Sequence, residues 1–383
     1  MIPLSIPNFE GNEEKYVLDA VSQGWVSTGG AYITRFEEEF AEYVNTSKAV
    51  ACQSGTAALH LSLLECGVKP GEYVIAPTLT FIAAVNPIRY IGAEPVFMDC
   101  DDSLCMDPDK LSEFCEKECV IEDGVLTHKS SGKHIRALVV VHVFGNMADM
   151  ESIMDIADRY NLKVVEDATE ALGTRYTSGR YEGKFAGTIG DFGAFSFNGN
   201  KIITTGGGGM VVAKNEKELL HIAYVSTQCK DDPLFYVHNE VGYNYRMTNV
   251  QAAIGVAQME LLEEYVIRKN NNYDVYYNLL KDKDGIELMS FREGTYSNKW
   301  FYAINVKNSD IDMHELVHKL SDDGVQTRLI WGLIHQQKPY KDNIAYMIDK
   351  ADKYSKCILN VPCSTNLNNE QINEVCDKIK QYT

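Results

Sequence analysis

The chain has 383 residues, 45 % of them hydrophobic and 23 % charged. That balance suits a globular protein with one large and one smaller domain, and it excludes a disordered or fibrous chain. A formal net charge of −18 argues against sequence-independent binding to DNA or RNA.

Residues 13–24 and 34–45 have the spacing of two helices around the polar turn Ser27-Thr28-Gly29-Gly30. From Ala49 the chain alternates. Strands are expected at Ala49–Cys52, Glu72–Pro77, Pro95–Met98, Ile135–Val143 and Lys163–Val165. Helices are expected at Thr56–Cys66, Phe81–Ile91, 108–119 and Met150–Tyr160. Ile135–Val143 is the longest β-branched run, as in a strand covered on both faces. Such alternation implies crossover units and a mainly parallel sheet, with ligands gathering at the carboxyl ends of the strands. Gln53-Ser54-Gly55-Thr56, Thr78-Leu79-Thr80-Phe81, His142 and Asp167 all fall at such ends. The polar stretch 119–134 reads as a surface hairpin or loop. A long helix is expected over 249–267, continuing through 268–281. A strand near Trp300–Val306, a helix at Met313–Asp322 and a final helix after Asn369 complete an α+β pattern. The expected division is a large domain of residues 1–250 and a smaller one of 251–383.

No run reaches the roughly 18 apolar residues of a membrane span. Met1-Ile2-Pro3-Leu4-Ser5 lacks the basic-then-apolar pattern of a signal peptide, so a cytoplasmic location is expected. The ten cysteines are scattered, with Cys115 and Cys119 four apart and no CxxC pair. They read as reduced thiols, and neither a disulfide framework nor a metal site is expected.

The chemistry concentrates around Lys201. It follows Ser196-Phe197-Asn198-Gly199-Asn200 and precedes the glycines Gly206 to Gly209; upstream, Val164-Val165 runs into the acidic pair Glu166-Asp167. An amine able to form a Schiff base, with a carboxylate to keep a pyridine nitrogen protonated, is what pyridoxal phosphate requires. Each segment alone reads equally as a surface lysine by a glycine loop, or as an acid ending a strand. Ser54-Gly55-Thr56-Ala57 opens a helix after a strand. It offers backbone N–H groups and hydroxyls to a phosphate, or simply caps the helix. Ser196 is a further phosphate donor. Phe81 stacks on a planar ring or packs in the core.

Five segments in order resemble the DegT/DnrJ/EryC1/StrS family of pyridoxal phosphate-dependent sugar aminotransferases. They are Ser54-Gly55-Thr56-Ala57-Ala58-Leu59, Thr80-Phe81-x-Ala83, Glu166-Asp167-Ala168-Thr169-Glu170-Ala171-x-Gly173, Ser196-Phe197-Asn198-Gly199-Asn200-Lys201, and Gly242-Tyr243-Asn244-Tyr245-Arg246-Met247 with Gln251-Ala252-Ala253. Gly24-Trp25-Val26-Ser27-Thr28-Gly29-Gly30 and Phe36-Glu37 fit the same pattern. The resemblance implies the aspartate aminotransferase-like α/β fold (fold type I), with a mainly parallel seven-stranded sheet and a smaller C-terminal α+β domain. It implies Lys201 as the Schiff-base lysine, Asp167 at the pyridine nitrogen, Phe81 on the ring, and Gly55, Thr56, Ala57, Ser196 and Asn198 around the cofactor. Asn244 would reach the phosphate from a second subunit, so a homodimer is implied. Trp25, Arg246, Arg328 and His335 are implied at the sugar site. Many family members carry glutamine where this chain has Glu170, and a carboxylate beside the cofactor's phenolic oxygen must share a proton or raise its pKa.

The implied reaction moves an amino group from L-glutamate, through pyridoxamine phosphate, to a nucleotide-linked 4-keto-6-deoxy sugar in bacterial surface-glycan biosynthesis. The branch most resembled serves legionaminic acid and bacillosamine-type sugars, with a UDP-linked 2-acetamido-2,6-dideoxy-4-keto hexose as acceptor. Arg175, Arg180, Lys184 and Arg328 are candidates for its diphosphate, or solvated surface. Two rival readings are a sugar dehydratase of the same family, which the retained Lys201 weakens, and a non-catalytic sugar-binding protein on this fold.

Overall fold

The computed structural model describes residues 1–232 and 234–383. Its main sheet is built on seven strands: β1 (Val50–Cys52), β2 (Tyr73–Pro77), β3 (Glu94–Met98), β4 (His134–Val141), β5 (Lys163–Asp167), β6 (Phe192–Ser196) and β7 (Gly209–Ala213). Their spatial order is β1-β7-β6-β5-β4-β2-β3. β7 runs antiparallel to both β1 and β6, and the other pairings are parallel. Polar and apolar residues do not alternate along the centre of β4 and β5, because both faces are covered: Leu138, Val139, Val140, Val164 and Val165 are fully buried.

Three additions enlarge this sheet to ten strands. Cys119–Glu122 and Val125–His128 form a hairpin that pairs antiparallel with β4, so the 119–134 insertion is part of the sheet. Its turn is Asp123-Gly124, both at positive φ (49° and 79°), the geometry that a tight two-residue connection demands. Ala345–Tyr346 adds a parallel edge strand beside β3.

Two expected helices differ in detail. Phe81–Ile91 is split into a 3-10 turn, Ile82–Ala84, and a short helix, Asn86–Tyr90, because Pro87 cannot donate the hydrogen bond that would join them. Residues 249–281 form two helices, Asn249–Met259 and Leu262–Leu280, broken at Glu260-Leu261. The first carries a capping box, Thr248 with Gln251. It packs on the N-terminal helices Glu13–Ser22 and Ala31–Tyr43. The strand expected over Ile135–Val143 ends at Val141, and a 3-10 turn, Val143–Gly145, follows His142.

A second, antiparallel sheet of four strands orders Ile286–Leu288, Tyr302–Val306, Ile358–Val361 and Arg328–Leu329 side by side. The N-terminus joins it through an Ile2–Val325 bridge and a bond from the Leu4 N–H to Gln326 Oε1 at 2.9 Å. Residues of both sheets come together over the carboxyl ends of β5 and β6. None of the ten cysteines is disulfide-bonded. Among the described residues no helix is long and apolar enough to cross a membrane, and no cluster of His, Cys, Asp and Glu could hold a metal.

Candidate active site

The parallel strands deliver their C-terminal residues to one edge. Antiparallel β7 starts at that edge, with Gly209 opposite both Cys52 and Ser196. A cavity of about 540 Å³ opens there, between this edge and the second sheet. Gly55, Thr56, Phe81, Asp167, Glu170, Ser196, Asn198, Lys201 and Arg328 all line it.

The Ser54-Gly55-Thr56-Ala57 segment opens a helix after β1, as expected from the sequence. Ser54 caps the helix Gly55–Glu65, its Oγ accepting the Ala57 N–H at 3.1 Å. The N–H groups at Gly55 and Thr56 open the helix and have no partner within it by construction. A side chain at position 55 would meet Ser196 Cβ at 2.8 Å and the Thr169 methyl at 2.9 Å, so glycine is what lets this turn close on β6. Ala57, expected around the cofactor, is buried and does not line the cavity.

Lys201 ends the turn after β6. Its Nζ lies 3.7 Å from Glu170 Oε1 and 4.0 Å from the centre of the Trp300 ring. Burial pulls its pKa down, and the charges of Glu170 and Asp167 oppose that pull. Asp167, at the end of β5, is buried and accepts the Thr169 N–H at 3.1 Å. Burial raises its pKa, against hydrogen bonds from Thr169 and the charge of Lys201. Glu170 is buried as well. Its Oε2 accepts the Phe144 N–H at 2.8 Å, and burial pushes its pKa up to about 7 although Lys201 holds it down. Phe144 sits at φ +58, a left-handed conformation that is costly for an aromatic residue.

Behind this floor lies a buried lock that the sequence did not expose. Glu166 accepts N–H bonds from Gly187, Ile189 and Gly190 at 2.8, 2.6 and 2.5 Å. His142 Nδ1 accepts the Ala148 N–H at 3.1 Å, so its Nε2 carries the proton donated to Glu166 at 2.9 Å. His142 thus braces the strand end next to Asp167, and it does not line the cavity.

The opposite wall is aromatic. Trp300 stacks on Phe301 at 3.9 Å between ring centres, and Phe144 packs on Trp331 at 5.0 Å. Trp300 Nε1 donates to the Asn200 carbonyl at 2.7 Å, one residue before Lys201. Buried Asn298 ties floor to wall. Its Nδ2 donates to the carbonyls of Glu170 and Leu172 at 3.0 and 2.9 Å, while its Oδ1 accepts the Trp300 N–H at 3.0 Å. Trp300, Trp331 and Asn298 are the residues sequence reasoning missed; Asn298 and Trp300 lie two positions apart and Trp331 four before His335, but their partners are far away in the chain.

The remaining sequence candidates lie elsewhere in the chain. Arg246 is engaged by both oxygens of Glu37, with Nη2 at 3.0 Å from Oε2. That explains its place beside a strand junction: Glu37 also accepts the Ala51 N–H at 2.7 Å, and Gln53 Nε2 donates to the Arg246 carbonyl at 2.7 Å. His335 hydrogen-bonds Thr78 at 2.6 Å and does not line the cavity. Trp25 and Asn244 are exposed on the surface. Arg175 pairs with Glu263 at 3.2 Å and lies over the Tyr296 ring, and Arg180 pairs with Asp155 at 2.5 Å. These two and Lys184 do not line the cavity. Of the four diphosphate candidates only Arg328 does.

The model of the DegT/DnrJ/EryC1/StrS aminotransferase family matches residues 7–380. EpsN of Bacillus subtilis (strain 168) is 36 % identical over 346 residues, covering 90 % of this chain and 85 % of that one. GDP-perosamine synthase of Escherichia coli O157:H7 is 34 % identical over 381 residues, covering 100 % and 98 %. The crystal structure of the aminotransferase TlmJ from Streptoalloteichus hindustanus superposes with a TM-score of 0.88 at 25 % identity, covering 100 % of this chain and 98 % of that one. The chain therefore belongs to the DegT/DnrJ/EryC1/StrS family of pyridoxal phosphate-dependent sugar aminotransferases.

Proposed function

We propose that this enzyme transfers the amino group of L-glutamate to the C4 keto carbon of a nucleotide-linked 6-deoxy sugar. The observation that carries the reading is the meeting of the Lys201 amine with two buried carboxyls, Asp167 and Glu170, in one cavity at the sheet's carboxyl edge.

The residues present fit pyridoxal phosphate. The turn that a side chain at Gly55 would fill, the hydroxyls of Thr56 and Ser196, and the N–H groups opening the helix suit a phosphate. Asn198 lies beside them. Bound there, the cofactor supplies an electron sink and a carrier for the amino group. Asp167, backed by the His142–Glu166 lock, would hold a proton on the ring nitrogen. Phe81, half exposed at the cavity mouth, would cover a ring face. Lys201 would move a proton at the reacting carbon, and its burial favours the neutral amine that this role needs. Trp300 and Trp331 keep the wall apolar and exclude water.

A homodimer belongs to the same proposal. Asn244 lies outside its own protomer's cavity, on a surface where Leu234, Phe235, Tyr236 and Val241 are 74–87 % exposed. A second copy would cover these residues and receive Asn244 at its own site. We place the cavity floor in a large domain of residues 1–250 and most of the wall in a smaller one of 251–383.

GDP-perosamine synthase of Escherichia coli O157:H7 is named for a GDP-linked sugar, which supports a nucleotide-linked acceptor. A panel of GDP- and UDP-linked 4-keto sugars, including the UDP-linked 2-acetamido form, identifies the carrier. The test of the reading is the absorbance spectrum of the purified protein before and after L-glutamate, with Lys201→Ala alongside. A visible band that glutamate moves to the near ultraviolet in wild type, and cannot move in the variant, is expected. A wild type that stays colourless after cofactor is supplied would sink the assignment and favour a sugar-binding protein.

A further inference from the structure

The floor holds one acid more than cofactor binding by Asp167 requires. Glu170 faces Lys201 alone among the cations of the site: its Oε1 is 3.7 Å from Nζ, and its other oxygen is taken by the Phe144 N–H. The other ionisable groups around it are accounted for. Asp167 is a second acid with its own donor at Thr169, and His142 is turned away onto Glu166. Asn298 holds the Glu170 main chain in place. The side chains of Glu170 and Lys201 are only 4 % and 12 % exposed, and an ion pair so far removed from water is poised close in energy to its neutral counterpart.

We propose that Glu170 is the proton acceptor for Lys201, so that the pair exchanges between ammonium–carboxylate and amine–carboxylic acid at the buried floor of the cavity. The N–H bond at Nζ breaks, its electron pair stays on nitrogen as the lone pair, and the proton forms an O–H bond at Oε1. No co-reactant is consumed and the net charge does not change. A movement of about 1 Å at the flexible end of the lysine brings the two atoms to hydrogen-bonding distance. The exchange gives Lys201 a neutral amine, needed both to capture the cofactor and to act as a base, at pH values where a free lysine is charged. A Glu170 pKa pushed up to about 7, together with the lowered Lys201, fits this sharing. The inference rests on Lys201 being the reactive amine.

The test reads the amine directly, with no turnover. Full-length enzyme is freed of cofactor with hydroxylamine and dialysed. It is labelled across a pH series with trace acetic anhydride, and Lys201 acetylation is quantified by mass spectrometry against an exposed lysine of the same chain. A pair sharing one proton titrates in two macroscopic steps. Wild type is expected to show Lys201 reactivity rising, holding a pH-independent plateau, then rising again. Glu170→Gln is expected to lose the plateau, leaving a single titration of about tenfold per pH unit below its bend. A single step in wild type overturns the proposal even if the variant does not fold. Two steps in both proteins also overturn it, because the second proton then belongs elsewhere, with Asp167. Either failure leaves the absorbance test of Lys201→Ala untouched, so loss of this proposal and loss of the aminotransferase reading are separable.

Discussion

The cavity has two sides built by different means. The floor is made at strand ends: Ser54, Asp167 and Ser196 are placed by the register of β1, β5 and β6, and backbone hydrogen bonds fix that register. The wall is made by side chains: Trp300 on Phe301, Phe144 on Trp331, and one buried amide, Asn298, joining the two sides. Geometry set by a sheet tolerates changes of side chain, so floor substitutions should cost chemistry more than fold. Geometry set by packed rings does not, so wall substitutions should cost fold or affinity.

The sharpest way to break this contrast is at Lys201. Lys201→Ala removes the proposed reactive amine and should lower kcat by about 10³-fold or more. Its melting temperature should stay near that of wild type, because Glu170, left without its cation, can take a proton. A large loss of stability would show that the floor is as packing-dependent as the wall. Trp300→Ala tests the other side. It removes a buried ring stacked at 3.9 Å on Phe301 and the indole bond to the Asn200 carbonyl, and should cost about 3–5 kcal/mol in urea unfolding.

Next in size is a pH effect on the cofactor-free protein. Burial raises the folded-state pKa of Glu170 from an ordinary 4.5 to about 7. The folded state then binds this proton more tightly than the unfolded chain does. Stability from it is fully present below about pH 4.5 and is lost as pH rises through about 7, on the order of 3 kcal/mol in all. Glu170→Gln should flatten the stability curve across that window. An unchanged slope would assign the loss to other groups. Lys201 works in the opposite sense at higher pH, since its pKa is lowered.

Much of the floor was legible in the sequence, and the reason is physical. The proposed phosphate cradle and the strand-end acids rest on short, local constellations, so Ser54-Gly55-Thr56, Glu166-Asp167 and Asn198-Gly199-Asn200-Lys201 can be read within a few residues, and the structure brings them to one edge of the sheet. β4 and β5 announced themselves as β-branched runs. β6 and β7 did not, because Phe-Gly-Ala-Phe-Ser and Gly-Met-Val-Val-Ala are short and glycine-bearing and give no period to read. Pro87 is a local mark of the break in the 81–91 helix. The break at Glu260-Leu261 has neither proline nor glycine to mark it. Asn298 and Trp300 acquire their roles only through partners up to 128 positions away, which no local pattern encodes.

The smallest effect separates two arginines that the sequence ranked together. Arg246 is spent on Glu37, which also holds the Ala51 N–H. Arg246→Ala leaves a partly buried carboxylate unpaired and should lower stability. Arg328 lies at the cavity wall on the short strand Arg328–Leu329, and among the described residues no acid is within ion-pair distance. An unspent guanidinium at the mouth of a chain with net charge −18 is what an anionic, diphosphate-bearing substrate would need. Such a contact acts alike on bound substrate and transition state. Arg328→Ala should therefore raise KM for the sugar nucleotide about tenfold, change kcat by less than about twofold, and leave melting unchanged. The KM effect should shrink as salt is raised. A fall in kcat at constant KM would instead place Arg328 with the floor, among the groups that act only in the transition state.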